Sequence, residues 1–368
     1  MKYYLIAGEA SGDLHGSNLI KHVSINDKEA NLRAWGGDKM HVAGAYIVEH
    51  YKNLAFMGFA EVIRNLPTIL SLIKKCKKDI LSFAPDVLIL IDYPGFNLRI
   101  AKWAKQKRIK IVYYITPQIW AWHKNRVHTL GKYTDLLLVI LPFEAAFFKK
   151  YGYEATYVGH PLLDAITAYG TPQDFGVPKS PGIKILALLP GSRKQEIRTM
   201  LPIMLQACKK LPFQICIAVA PSVDIQIYED IIHDANLNEK PTLVIDNTYA
   251  LLSIADCALV SSGTATLETA LFEVPQVVCY KGNPISYFIA KRLVDLKYIS
   301  LVNLIEDKKI VTELIQDELT PQNIITEIHR LEISQSNIKE DYKKLKTNLG
   351  SAGASEKAAY EIIKLLNK

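Results

Sequence analysis

The 368-residue chain carries 44 basic against 37 acidic side chains, a net charge of +7, with 49% hydrophobic and 22% charged residues. That balance excludes a disordered chain, and because single cores rarely grow past ~250 to 300 residues it predicts two of them. The five cysteines, Cys76, Cys208, Cys216, Cys257 and Cys279, are scattered without a Cys-x-x-Cys pair, which excludes a disulfide framework or cysteine zinc site and fits a reducing cytoplasm.

No apolar run approaches the ~18 to 20 residues that span a bilayer, and the short N-terminal run meets Glu9 too soon for a signal peptide. The positive balance favours anionic partners: nucleotides, phosphorylated metabolites, nucleic acid or an acidic membrane surface.

Residues 3–7 read as a short buried strand, followed by Ala7-Gly8-Glu9-Ala10-Ser11-Gly12-Asp13-Leu14-His15-Gly16 at a strand-to-helix turn. Its glycine spacing matches neither a Walker loop nor the dinucleotide fingerprint. A turn that needs glycine for geometry and a loop that approaches a ligand both remain open. Further strand-like runs at 32–35, 86–91, 109–115, 135–141 and 155–158 alternate with helical stretches, the pattern of a parallel sheet covered by helices.

Between them, Ile69, Ile73, Cys76, Ile80 and Phe83 form a core-facing stripe at helical spacing. The neighbouring stripe runs Leu66, Leu70, Lys74, Lys77, with Arg64, Lys75 and Lys78 adding charge and Phe56, Met57 and Phe59 adding apolar surface upstream. This predicts either contact with an anionic membrane surface or a wide core face with a solvated basic edge.

The strand at 86–91 ends in Asp92-Tyr93-Pro94-Gly95-Phe96-Asn97, which makes Asp92 a candidate general base, or simply the cap of the next turn. After the next strand, Trp120 and Trp122 beside His123 and Arg126 suggest a wall for a sugar or an acyl chain, with core packing as the alternative. The role of His160, just ahead of a Gly-, Pro- and Ser-rich linker at 168–182, is open.

A second alternating series follows at 183–189, 214–220, 243–245, 257–261, 276–280 and 299–304. Leu189-Pro190-Gly191-Ser192-Arg193-Lys194-Gln195 closes one strand and opens a helix, with Ser192 and Gln195 at capping-box spacing and a basic pair where a helix start favours an anion. Ser261-Ser262-Gly263-Thr264-Ala265-Thr266-Leu267-Glu268 repeats the arrangement with hydroxyls for a diphosphate and with Glu268 placed to accept from a ribose. From about Pro321 onward the chain reads as helical, with Ser355 as the cap of a last helix. Two open α/β domains place the default ligand site at the carboxyl ends of their strands, in a cleft between them.

Taken together these motifs resemble the lipid A disaccharide synthases, inverting glycosyltransferases of the GT-B class. The resemblance runs nearly end to end. It is carried by the 7–13 loop, Ile91 to Asn97, Trp120-Ala121-Trp122, Val158-Gly159-His160-Pro161, Leu189 to Arg193, Ser262 to Glu268, the block 290–294 and Tyr298-Ile299-Ser300-Leu301-Val302-Asn303. Val302 departs from the proline of the family's Ser-Leu-Pro-Asn pattern, which puts that loop's shape in question.

The resemblance implies an α/β fold of two Rossmann-like domains with parallel sheets facing a central cleft. Residues 1–167 would form an acceptor-binding, membrane-facing domain, 168–182 a linker, 183–345 a UDP-sugar-binding domain, and 346–368 a helix that can cross back to the first domain. It implies transfer of 2,3-diacylglucosamine from its UDP donor to 2,3-diacylglucosamine 1-phosphate, with no metal and no cofactor, by an enzyme lying peripherally on the cytoplasmic leaflet of the inner membrane. Nucleic acid is not an expected partner.

Within that scheme Asp92 is the base, and Glu9, Ser11, Asp13, Asn97 and Trp120 lie on the acceptor side. Arg193, Ser262, Gly263, Thr264, Thr266, Glu268 and Asn303 hold UDP, and Phe56, Met57, Phe59, Leu66 and Leu70 meet the membrane. Two other readings remain: a different GT-B enzyme, such as another UDP-sugar transferase or a UDP-sugar 2-epimerase, and a nucleotide-binding protein without turnover.

Overall fold

A computed structural model describes residues 1–54, 66–122, 126–170, 182–282 and 297–367. Phe56, Met57, Phe59, Arg64, His123, the block 290–294 and most of the 168–182 linker fall outside these residues, as do the side chains of Leu66 and Trp122. The chain forms two compact units, Met1–Ala168 together with Leu349–Lys368, and Tyr169–Asn348.

The first unit is built on a seven-stranded sheet of order β3-β2-β1-β4-β5-β6-β7. Its strands are β1 Lys2–Ala7, β2 Asn31–Gly36, β3 Tyr46–His50, β4 Val87–Ile91, β5 Lys110–Tyr114, β6 Leu136–Val139 and β7 Thr156–Tyr157, all paired in parallel. A parallel sheet is covered on both faces, so its central strands are continuous apolar runs such as the fully buried Val-Leu-Ile-Leu-Ile of β4.

Successive side chains of these strands divide between the two faces. Tyr4, Ile6, Leu88, Leu90 and Tyr113 pack on one side against Ile73, Cys76 and Ile80 of the helix Leu66–Phe83 and Phe96 and Ile100 of the helix Pro94–Gln106. Tyr3, Leu5, Ile89, Ile91 and Tyr114 pack on the other against Leu19, Ile20 and Val23 of the helix Ala10–Asn26 and Ala358, Ala359 and Ile362 of the helix Ala354–Leu366. The last helix of the chain therefore completes the core of the first unit. Its start is capped by Asp164, whose carboxylate accepts from the amides of Gly353 at 2.6 Å, Ala354 at 3.1 Å and Ser355 at 2.7 Å. The expected cap, Ser355, lies inside the helix, and a carboxylate from a distant helix does that work instead.

The second unit has a six-stranded sheet of order β10-β9-β8-β11-β12-β13. Its strands are β8 Lys184–Leu189, β9 Phe213–Val219, β10 Thr242–Ile245, β11 Cys257–Ser261, β12 Gln276–Tyr280 and β13 Thr312–Ile315. The apolar run at 299–304, expected as a strand, instead forms a turn and the helix Leu301–Glu306. Ser300 caps that helix by accepting from the Asn303 amide at 3.3 Å, and Asp307 ends it in a left-handed conformation, so local capping outweighs the β-propensity of Ile299 and Val302. All five cysteines are buried and unpaired.

In both sheets the order reverses beside the first strand of the unit, between β1 and β4 and between β8 and β11. In open α/β sheets, ligands bind outside the carboxyl ends of the strands at such switch points.

Candidate active site

The first switch point is formed by the loop after β1 and the loop after β4. Asp92 follows the last residue of β4, is half-buried, and has a left-handed backbone with φ +42°, as does Tyr93 with φ +49°. Neither residue is glycine, and such conformations cost about 1 to 3 kcal/mol each unless the surroundings enforce them. Here the surroundings do. The Asp92 carbonyl accepts from the Tyr113 hydroxyl at 2.7 Å and from Asn97 Nδ2 at 2.8 Å, and its amide points to the carbonyls of Tyr114 and Ile115. The backbone of this strand-end residue is thus held by Tyr113, Asn97 and the loop after β5.

Asn97 and Asp13 differ from the acceptor-side roles expected of them. Asn97 is fully buried, and its amide also lies 3.2 Å from the Ile91 carbonyl, so it ties the β4 loop together from below. Asp13 is 3% exposed; its carboxylate accepts from the amides of Gly37 at 2.7 Å, Met40 at 3.1 Å and Lys39 at 3.1 Å. It caps the short helix Asp38–Val42 and so anchors the loop after β2 to the loop after β1. Glu9, at the N-cap of the first helix, is half-buried, and Ser11 is exposed, so these two reach the surface of the switch point.

Trp120 is half-buried and packs edge-on against Phe143, with ring centroids 5.0 Å apart. Beside it is a carboxylate that the motif reading passed over. Glu144 is 1% exposed; one oxygen accepts from the Thr116 hydroxyl at 3.0 Å, the other from the amides of Ile140 at 3.1 Å and Leu141 at 2.9 Å. Burial pushes its carboxyl up to about 7, against the opposing pull of these donors. An acid five residues past the end of β6, in Leu141-Pro142-Phe143-Glu144, was the available signal for it.

His15 and His160 are both buried in this unit. Burial holds His15 down to about 4, while Asp164 opposes the shift, and burial with the charge of His15 holds His160 down to about 3. The Leu162 amide donates to His160 Nδ1 at 3.3 Å, so His160 serves the start of the helix Pro161–Tyr169 as a neutral ring.

At the second switch point, Arg193 is the N-cap of the helix Lys194–Cys208. The reciprocal partner of this start is Glu196, not the expected Gln195: Glu196 accepts from the Ser192 amide at 3.1 Å and pairs with the Arg193 guanidinium at 3.2 Å. Its carboxylate folds so closely over the loop that a Cβ on Gly191, where φ is +124°, would sit 2.6 Å from Glu196 Oε2. Position decides this: with Arg193 as the N-cap, Glu196 and not Gln195 falls at the third helical position, from which a side chain reaches back over the loop.

Opposite, the loop after β11 opens the helix Thr264–Leu271. Gly263 and Thr264 are exposed, and a Cβ on Gly263 would meet nothing within 4 Å, so the space above this helix start is open. Ser262 turns inward: its hydroxyl donates to the Ile299 carbonyl at 3.3 Å and its amide to the Cys279 carbonyl at 3.2 Å. Thr266 is fully buried with its hydroxyl on the Gly263 carbonyl at 2.8 Å.

Asn303 is fully buried as well. Its Nδ2 donates to Val311 O and to Glu313 Oε1, both at 2.9 Å, and its Oδ1 accepts from the amides of Ile310 and Val311. Thr266 and Asn303, both fully buried, thus shape the loops from within. Glu268 accepts from the Tyr249 hydroxyl at 2.9 Å, and burial raises its pKa while that hydrogen bond lowers it.

The family model of lipid-A-disaccharide synthetase matches residues 3–364. The lipid-A-disaccharide synthase of Syntrophus aciditrophicus is 37% identical over 377 residues, covering 99% of this chain and 97% of that protein. Among solved structures, UDP-GlcNAc 2-epimerase from Neisseria meningitidis bound to UDP-GlcNAc superposes with a TM-score of 0.63 at 12% identity, covering 100% of both chains. The calicheamicin glycosyltransferase CalG4 does so with a TM-score of 0.61 at 17% identity, over 100% of this chain and 98% of that one. These two structures share the GT-B-like fold. By its full-length match the chain belongs to the lipid-A-disaccharide synthase family, with the glycosyltransferase activity of that family in lipid A biosynthesis.

Proposed function

We propose that the chain transfers 2,3-diacylglucosamine from its UDP donor, held at the second unit's switch point, to the 6-hydroxyl of 2,3-diacylglucosamine 1-phosphate, held at the first. Asp92 is the general base. As the acceptor oxygen attacks the anomeric carbon, its proton passes to the Asp92 carboxylate while the bond from that carbon to the UDP oxygen breaks. The anomeric centre inverts, giving the β-1,6-linked disaccharide phosphate and UDP. The observation that carries this reading is the backbone of Asp92, held left-handed at the end of β4 by Asn97 and Tyr113. A base pre-set in this way loses little freedom on reaching the transition state.

Charge growing on the departing diphosphate is taken up by Arg193 and by the amides at the start of the helix Thr264–Leu271, an electrostatic contribution of the kind that often dominates. Glu268 accepts from the ribose. Glu9, Ser11 and Trp120 contact the acceptor, whereas Asp13, Asn97, Thr266 and Asn303 act from behind as positioning groups.

Both substrates carry acyl chains, so delivery from the cytoplasmic leaflet is part of this reading. Among the described residues no helix is long and apolar enough to cross a membrane. Leu70 is 56% exposed on the helix Leu66–Phe83, one turn before the exposed Lys74, which supports a face that rests on an anionic bilayer.

Asp92→Ala should lower turnover by at least the ~10²-fold typical of acid–base groups while leaving UDP binding intact. Mass spectrometry of the wild-type reaction should show UDP and a tetraacyl disaccharide phosphate. Near-normal rates in the variant would remove Asp92 as the base, and a C2-epimerised UDP-sugar as the product would overturn the substrate assignment.

A further inference from the structure

Glu268 has a partner that neither the sequence motifs nor the reaction scheme accounts for. The Tyr249 hydroxyl donates to Glu268 Oε1 at 2.9 Å across 19 residues of chain. Tyr249 lies in the helix Thr248–Ile254, on the far side of β11 in sequence from the helix that carries Glu268. Its ring is itself held in place. Tyr169 meets it edge-on at 90° with centroids 5.4 Å apart, and Phe272 packs against it at 5.2 Å. Tyr169 is fixed in turn by its hydroxyl, which donates to Asn247 Oδ1 at 2.8 Å.

Three aromatic rings thus deliver one phenol to one carboxylate oxygen. A glutamate side chain otherwise turns about three bonds, and a carboxylate that must receive a sugar hydroxyl gains from having that freedom removed beforehand. Desolvation raises the pKa of this half-buried carboxyl, and the phenol opposes that shift by favouring the ionised form, which accepts from a hydroxyl.

We propose that Tyr249 is a positioning residue that sets how strictly the nucleotide site reads the ribose, by fixing Glu268 for the sugar's hydroxyl groups. This rests on the reading of Glu268 as the ribose acceptor. A site built to hydrogen-bond a hydroxyl rejects the analogue lacking it, because its own polar group is then left unpaired. Loosening Glu268 relaxes that rejection: the carboxylate can turn away at little cost when the hydroxyl is missing, and it binds the hydroxyl less well when present.

The test is calorimetric titration of the full chain with UDP and with 2′-deoxy-UDP, for wild type, Tyr249→Phe, Glu268→Gln and the double variant. Tyr249→Phe keeps the ring packing and removes only the phenol oxygen, and an unchanged unfolding temperature within a few degrees verifies the fold. Wild type should prefer UDP by ~10-fold or more. Tyr249→Phe should weaken UDP binding by ~5- to 10-fold with less than a ~2-fold effect on the deoxy analogue, so that the preference collapses. Glu268→Gln should abolish the preference, and adding Tyr249→Phe to it should change nothing further.

If Tyr249→Phe retains the wild-type preference, or weakens both ligands by the same factor, Tyr249 serves packing alone and the proposal is wrong although Glu268 keeps its role. If wild type binds both nucleotides equally, the ribose reading of Glu268 fails and the proposal falls with it.

Discussion

The Tyr93 ring lies against the backbone of Gly8: a Cβ added to Gly8 would stand 2.3 Å from Tyr93 Cγ. The two loops of the first switch point are therefore in direct contact through a position that admits no side chain. Tyr93 cannot easily yield, because its hydroxyl donates to the Leu54 carbonyl at 2.8 Å and its ring stacks on Phe96 at 5.8 Å. Gly8→Ala should cost about 1 to 3 kcal/mol of stability by overpacking and displace the Asp92–Tyr93 turn, lowering turnover as well. Chemical denaturation and a rate assay check both effects. In a Tyr93→Ala background the same Gly8→Ala change should be nearly neutral for stability, and a full cost there would show that the ring is not the obstacle.

Asp13→Ala should leave the amides of Gly37, Lys39 and Met40 without their acceptor and cost about 1 to 3 kcal/mol. The measurement is the unfolding midpoint together with titration by UDP. Stability should fall while UDP affinity stays as in wild type, since Asp13 and the second switch point belong to different units. An unchanged midpoint would return Asp13 to the list of groups that face the acceptor.

Stability of the first unit should depend on pH through three buried groups. His15 and His160, held down to about 4 and about 3, stay neutral in the folded unit while the unfolded chain takes up protons below their ordinary 6.5. Their contribution is present above 6.5 and is lost as the pH falls toward the folded values. Glu144, raised to about 7 from 4.5, works in the opposite sense: its contribution is present below 4.5 and is lost as the pH rises through about 7.

Between 4.5 and 6.5 the two histidines outweigh the one carboxyl by about one proton, so stability should rise with pH by about 1.4 kcal/mol per unit. Denaturant unfolding at pH 5 and pH 6.5 measures this slope. His160→Asn, which keeps an acceptor for the Leu162 amide, should flatten it, and an unaltered slope would assign the proton uptake to other groups.

Replacing Leu66 and Leu70 together with serine should release the protein from vesicles containing anionic lipid while leaving it folded, because Leu70 is exposed on its helix. Sedimentation with vesicles reads the first effect. Binding equal to that of wild type would remove this helix face as the contact.

Much of this architecture was legible along the chain because its determinants are local. The buried strands β1, β4 and β8 announce themselves as apolar runs, since a parallel sheet is covered on both faces. The Ile73, Cys76, Ile80 stripe is likewise set by helical period alone. The edge strand β3, with no fully buried residue, and the four-residue β13 carry no such run and were not visible.

The polar loops at the strand ends, and with them the family, followed from the sequence by itself, because glycine, hydroxyl and charged residues at a strand-to-helix turn mark a place where backbone meets ligand. Which side chains in those loops are available to a ligand was decided only by the tertiary structure. Asp13 is taken by amides 24 to 27 residues away, Asp164 by amides about 190 residues away, and Glu268 by a phenol from another helix. A carboxylate or amide in a motif is a donor or acceptor whose partner is chosen by distance in space. Folding brings backbone groups that must be satisfied into its reach, and the buried Asp13, Asn97, Thr266 and Asn303 are bound by them, while at Asp92 the backbone itself is fixed by Asn97 and Tyr113.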